Sequence, residues 1–132
     1  MANTTIKTSE LTTLADKLIV DVDADTTSED NVTGASSGSI YIVEIDATAG
    51  VATTSDMACY VKIVDASSAT GGGNSSTIPH LVLYAPLGII TKYVVKSGWA
   101  FTSGVSFWCV TTSALAGDTS PVSDIKVSIV SS

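Results

Sequence analysis

The chain has 132 residues, 45% hydrophobic and 14% charged, with six Lys, no Arg, thirteen acidic residues and a formal net charge of -7. A polar fraction rich in Ser and Thr, with a pI near 4.2, argues against a nucleic-acid binder, which needs Lys and Arg to neutralise phosphates. No run of about 18 apolar residues is present to cross a membrane as a helix, and a mean hydropathy of +0.40 is too apolar for a disordered chain.

In chain order, the first segment, Met1 to Thr8, shows no charged region followed by an apolar one, so no secretory signal is expected and synthesis in a host cytoplasm is. Leu11, Leu14 and Leu18 fall at i, i+3 and i+7 after Ser9-Glu10, which allows a short amphipathic helix capped by Ser9. Lys17 to Asp23 competes as a strand; Leu18 to Val22 is read as strand and Leu11 to Ala15 stays open. Residues 1–17 are expected as an N-terminal arm outside the sandwich, because a segment with a few apolar anchors and no core of its own orders on a partner. Residues 18–132 are expected as one domain. Asp23 to Gly38 is polar and reads as a loop.

From there strand signals dominate. Ser39 to Asp46 is β-branched and aromatic, flanked by Gly38 and Gly50. Cys59 to Asp65 alternates Cys59, Val61 and Ile63 with Tyr60, Lys62 and Val64, which predicts one face on the core and Lys62 on the exposed face. Ser67 to Thr77, with Gly71, Gly72 and Gly73, reads as a flexible loop. Leu81 to Ala85 lies between Pro79 and Pro86, as a strand bounded by residues without a ladder donor does. Ile89 to Lys96 is a strand closed by Ser97-Gly98; Val105 to Thr112 follows Gly104; Asp124 to Val130 alternates Ile125, Val127 and Ile129 against Lys126 and Ser128. The predicted fold is therefore all-β: an antiparallel β-sandwich or jelly-roll-like barrel of about seven to eight short strands.

Residues with chemical potential are few. Asp21, Asp23 and Asp25 place oxygen ligands at i, i+2 and i+4, as at the start of a calcium loop. Thr26 and Val32, however, occupy the positions that need Gly and Glu, and strand periodicity would put all three carboxylates on one solvent face. His80, the single histidine, is expected as a structural or surface residue at a strand start, without a nucleophile elbow anywhere in the chain. Gly71-Gly72-Gly73 lacks the Lys and Ser/Thr ending of a phosphate loop. Cys59 and Cys109 sit in apolar runs and read as reduced core thiols, with an inter-strand disulfide as the other option. Among the aromatics, Phe101, Phe107 and Trp108 are expected in the core, while Trp99, between Gly98 and Ala100, is expected as the exposed or interface residue. A sugar-stacking platform among the aromatics is the alternative use. No catalytic, cofactor or metal-binding residues are assigned, and no enzyme is expected.

From Ala58 onward the order of features resembles small virion proteins of tailed bacteriophages. The matching residues are Tyr60 to Ala66, the Ser/Thr/Gly loop to Thr77, the Ile78-Pro79 step, Gly98-Trp99-Ala100-Phe101-Thr102-Ser103-Gly104-Val105, and Thr111-Thr112 with Asp118-Thr119 before the last strand. The resemblance implies a head-decoration (cement) protein on the capsid exterior, bound to the major capsid protein, with neither nucleic acid nor membrane as partner. Symmetric shells favour a homo-oligomer, a trimer above all. Ile6, Leu11, Leu14 and Trp99 are the candidate partner-interface residues. A receptor- or glycan-binding tail or fibre module is the alternative.

Overall fold

The computed structural model describes residues 6–9, 17–70 and 77–132. Among these, eight strands and no helix form two antiparallel sheets: β1 (Ile6–Ser9), β2 (Lys17–Asp21), β3 (Gly38–Asp46), β4 (Ala58–Val64), β5 (Leu81–Pro86), β6 (Ile90–Phe101), β7 (Ser106–Val110) and β8 (Lys126–Ser131). The larger sheet has the order β1-β2-β8-β3-β6 and the smaller β5-β4-β7. The architecture is an antiparallel β-sandwich, as the strand-length apolar runs dictate: each has one face too hydrophobic to leave in water, and stacking two sheets buries both.

The core between the sheets is filled by the inward alternates of each strand. Ile19, Ile40, Val43, Ile45, Val127 and Ile129 from the larger sheet meet Cys59, Val61, Ile63, Phe107 and Cys109 from the smaller, all at most 2% exposed. Phe101 and Val105 close one end of this core. Packing is efficient: the accessible surface of 6458 Å² lies close to the roughly 6500 Å² expected of a compact chain of this mass.

Several sequence expectations change in detail. Strand β6 does not stop at Ser97-Gly98; it runs on to Phe101 past an irregularity in which Ile40 pairs with Trp99 but Ile42 pairs with Val94. Gly98 makes this possible. Its φ is +83°, and a Cβ there would approach Ser39 Cβ to 2.8 Å and Tyr41 to 3.0 Å, so the excess residues of β6 are taken up at a position only glycine tolerates.

Trp99, expected as an exposed or interface residue, is half-buried and packs against the core. Trp108, Phe101 and Phe107 are each 1% exposed, as their apolar runs indicated.

Lys62 corrects the expected exposed face of β4. It is fully buried, because β4 is the central strand of its sheet and its outer face is covered by a second small cluster of Val64, Trp108 and Val110 with Tyr60, Ala66 and Ala69. The Lys62 ammonium donates to the Ala114 carbonyl at 2.5 Å, which ties the loop after β7 across this face.

Residues 23–37 carry no regular strand but are not a free linker. They run along the otherwise open edge of β7. Cys109 N donates to Asp25 O, Glu29 and Phe107 exchange both backbone hydrogen bonds, and Val32 N donates to Val105 O. Ala24 and Val32 are buried in the core cluster.

Within residues 1–17, Ile6–Ser9 extends the larger sheet by pairing with β2, from Ile6↔Asp21 to Ser9↔Leu18. Ser9, the proposed helix cap, ends this strand. The Leu11 to Ala15 segment and the Gly71 to Gly73 tract lie outside the described residues.

Candidate interaction surface

The outer face of the five-stranded sheet carries an apolar ladder. Leu18 pairs with Val130, Val130 with Ile42, and Ile42 with Val94, so four outward-pointing apolar side chains line up across β2, β8, β3 and β6. Val94 is 66% exposed, and the other three are half-buried by one another. Where the ladder meets the irregularity in β6, Tyr41, Ile42, Val94, Val95, Lys96 and Val130 line a shallow depression of about 230 Å³. Polar rungs follow on one side: Ser128, Glu44 and Lys92 lie in one row, with Lys92 Nζ 3.5 Å from Glu44 Oε2, and Lys126 and Asp46 in the next. An apolar stripe bordered by charges has the composition of a protein-contact patch. Sequence reasoning missed it, although the signal was present: Ile40 to Ile45 and Ile89 to Val95 have apolar residues on both alternates, too many for a sheet with one wet face.

Beside this face, β6 and β5 lie together as the last strands of their sheets, with Tyr93 Oη donating to the Tyr84 carbonyl at 2.6 Å. Exposed Val82, Tyr84, Ile89 and Ile90 continue the apolar surface here. Tyr60 and Tyr84, paired across β4 and β5, have ring centroids 5.6 Å apart.

The opposite side of the sandwich is acidic. Asp21, Asp23 and Asp25 do not form the expected solvent row. Strand β2 ends at Asp21, and the chain then turns onto the β7 edge, which leaves Asp21 1% and Asp25 6% exposed. Asp21 Oδ1 accepts from Asp23 N and Asp25 Oδ1 from Thr27 N, both as local turn contacts. Asp23, Asp25, Ser120, Val122 and Asp124 contribute to a cleft of about 220 Å³. Burial, followed by the charges of Asp21, Asp25, Asp23 and Asp30, pushes the Glu29 carboxyl up to about 7. Among the described residues no group of three or more His, Cys, Asp or Glu side chains is placed to hold a metal ion.

At the far end of the β4 and β6 strands, Asp65 organises the turn into β7. Its carboxylate accepts from Thr102 N, Thr102 Oγ1, Ser103 N and Gly104 N at 2.7 to 3.3 Å. Burial alone would raise its pKa; these donors outweigh that and hold it below the usual aspartate value. Gly104, at φ +141°, lets the turn pass against Asn31 and the Ala66-Ser67 backbone. His80 lies next to this turn, with its Nδ1 accepting from Asp65 N at 3.0 Å and its ring 6.1 Å from Trp99. The single histidine and Asp65 thus meet, but the carboxylate is committed to three backbone amides and the Thr102 hydroxyl, and the imidazole to a backbone N–H, which is the chemistry of a staple.

Cys59 and Cys109 are free and buried in the core, on adjacent strands. A hydrogen bond between the two thiols lowers the pKa of Cys59, while the same bond and burial raise that of Cys109. Of the four proposed interface residues, the structure places Trp99 against the core and Ile6 at the edge of the larger sheet; Leu11 and Leu14 lie outside the described residues. Comparison of the chain with protein-family models, curated proteins and solved structures gave no match.

Proposed function

We propose that this chain is a structural protein of a tailed-bacteriophage virion, a head-decoration (cement) protein that binds the outer surface of the assembled shell. It works without catalysis or a cofactor. The observation that carries the reading is the in-register apolar ladder Leu18–Val130–Ile42–Val94 on the outer face of the larger sheet. Cross-strand aliphatic pairs stabilise the sheet by themselves, but they leave Val94 66% exposed at the end of an apolar stripe, which cover by the major capsid protein would bury. With no arginine to serve as an anchor, the contact relies on these aliphatic side chains and on Ser/Thr hydrogen bonds.

The mechanism is mechanical. A protein that bridges neighbouring capsomers binds a surface present only in the expanded shell, and it stabilises that state by mass action. Purified protein added to heads that lack it should bind to a fixed stoichiometry and raise their resistance to heat or chelator. Heads that neither saturate nor gain stability refute the reading. A glycan-binding tail or fibre module is the second reading, favoured by exposed Tyr84, whose ring lies beside that of half-buried Tyr60. Labelling at the tail tip, or sugar binding lost in Tyr84→Ala, would select it.

A further inference from the structure

The two edges of β7 are covered in different ways. On one side β7 pairs with β4 along its whole length, from Ser106↔Val64 to Val110↔Tyr60. On the other it meets only the irregular segment 23–33. Cys109 N donates there to Asp25 O, Glu29 and Phe107 exchange two bonds, and Val32 N donates to Val105 O just before the strand, all at 2.8 to 3.0 Å. The apolar anchors of this segment are small, Ala24 and Val32, so burial holds it only lightly. Its other ties are polar: Thr26 N to Ser120 Oγ, Asn31 N to Ser106 Oγ, Ser28 Oγ to Ala69 O, and Ala69 N to Asp30 Oδ1.

Negative charge is concentrated on the same segment. Asp23, Asp25, Glu29 and Asp30 lie on it, Asp21 ends the strand that leads into it, and Asp124 lines the same cleft as Asp23 and Asp25. Among the described residues, the charges that act on Glu29 are those of Asp21, Asp25, Asp23 and Asp30, with no lysine or histidine opposing them. Lys17 is tied to the Thr33 carbonyl at the far end of the segment. Glu29 is half-buried, and its own N–H and C=O are the groups that bond to Phe107. Charge on this side chain therefore acts on the bridge that fastens the middle of the segment to β7.

We propose that segment 23–33 is a pH-sensitive cover of the β7 edge: it lies closed while the Glu29 carboxyl is protonated, and ionisation of Glu29 among Asp21, Asp23, Asp25 and Asp30 promotes a local opening that frees the Phe107 and Cys109 N–H groups. The sign follows from burial and the neighbouring carboxylates, which push the Glu29 carboxyl up to about 7 from an ordinary 4.5. Closure favours the protonated acid, so the cover is held most firmly below 4.5 and loosens as pH rises through 7. The open form is a minor state of the folded chain, and it presents an unpaired strand edge. This device is independent of what docks on the outer face of the larger sheet, and stands or falls apart from it.

Amide hydrogen exchange of the full-length chain, corrected for the intrinsic effect of pH, reads the two N–H groups directly. Successive N–H groups of a strand point to opposite sides, so Trp108 N–H faces β4 and serves as the reference for opening of the sheet itself. At about pH 7.5, Phe107 and Cys109 should exchange at least about tenfold faster than Trp108. From about pH 5 to about pH 7.5 their protection should fall at least about tenfold. That fall should follow the titration of the Glu29 carboxyl carbon shift in the same sample, and it should be absent in Glu29→Gln. Phe107 and Cys109 as protected as Trp108 at the higher pH would show that the cover does not open separately, and would overturn the proposal. So would protection that does not change with pH, a fall that departs from the Glu29 titration, or one that persists in E29Q. The wild-type titration decides the matter alone if E29Q does not fold.

Discussion

Replacing Asp65 with alanine removes the acceptor for three backbone N–H groups and one hydroxyl in the turn between β6 and β7. A net hydrogen bond to a charged group is worth about 1.5–3 kcal/mol when dry, but this turn is in contact with water, which replaces much of what is lost. Assigning about 1 kcal/mol to each of the two shortest bonds, those from Ser103 N and Thr102 N, gives a loss of about 2 kcal/mol. With an unfolding entropy of about 2.1 cal/mol/K per residue over the chain, that corresponds to a fall in Tm of about 7 °C. Asp65→Asn keeps a neutral acceptor and should lose about half as much. The pH dependence has a definite sign. The folded pKa lies below the unfolded value, so the carboxylate's contribution is fully present above the usual aspartate range and fades as pH falls through the folded pKa. Thermal melts of wild type and D65N should therefore differ at pH 7 and converge toward pH 2. A D65A variant that melts within about 1 °C of wild type, or a gap that persists at pH 2, would refute the assignment of the turn to this carboxylate.

Burial pushes the Lys62 ammonium pKa down, so wild type should gain stability as pH rises from the lowered value toward 10.5, and Lys62→Met should lack that gain. At pH 7 K62M should melt at or above wild type, while Lys62→Ala loses about 3 kcal/mol of packed methylenes; K62M melting below K62A would contradict this. Glu29, with a folded pKa of about 7 against an ordinary 4.5, should make wild type lose stability as pH rises from 4.5 through 7. Urea midpoints of Glu29→Gln across that range should be flat by comparison, and equal slopes would refute the account. Trp99→Ala should cost about 2 kcal/mol, roughly half the price of a fully buried tryptophan, visible in the same urea titrations; an unchanged midpoint would mean that Trp99 is not part of the packing.

The strands were legible because period-two patterning and turn residues coincide: Ser39 to Asp46, Leu81 to Ala85 and Asp124 to Val130 sit within a residue or two of β3, β5 and β8. The misses share one cause, since each depends on what a face meets in three dimensions. Lys62 follows the alternation correctly, yet its face is covered by a loop about fifty positions further on. Asp23 to Gly38 has a linker's composition but serves as the backbone partner of β7 through Asp25, Glu29 and Val32, a role that side-chain pattern cannot encode. Gly98 was read as a terminator, whereas the strand absorbs it through a positive φ. Of the candidate surface, the individual apolar residues were visible, but their alignment across β2, β8, β3 and β6 required the register.

The position of β8 has a consequence for the order of folding. It is the last strand of the sequence, yet it lies inside the larger sheet, with β2 on one side and β3 on the other. Until Lys126–Ser131 is available, β2 and β3 each present an unpaired edge with buried-type residues such as Ile19 and Val43 beside it, the kind of edge that recruits other chains. Insertion of this one strand closes two ladders at once and joins the N-terminal hairpin to the rest of the sheet. Sheet formation is thus tied to a long-range, late event, and a chain shortened by its last seven residues should aggregate instead of folding to a smaller sandwich.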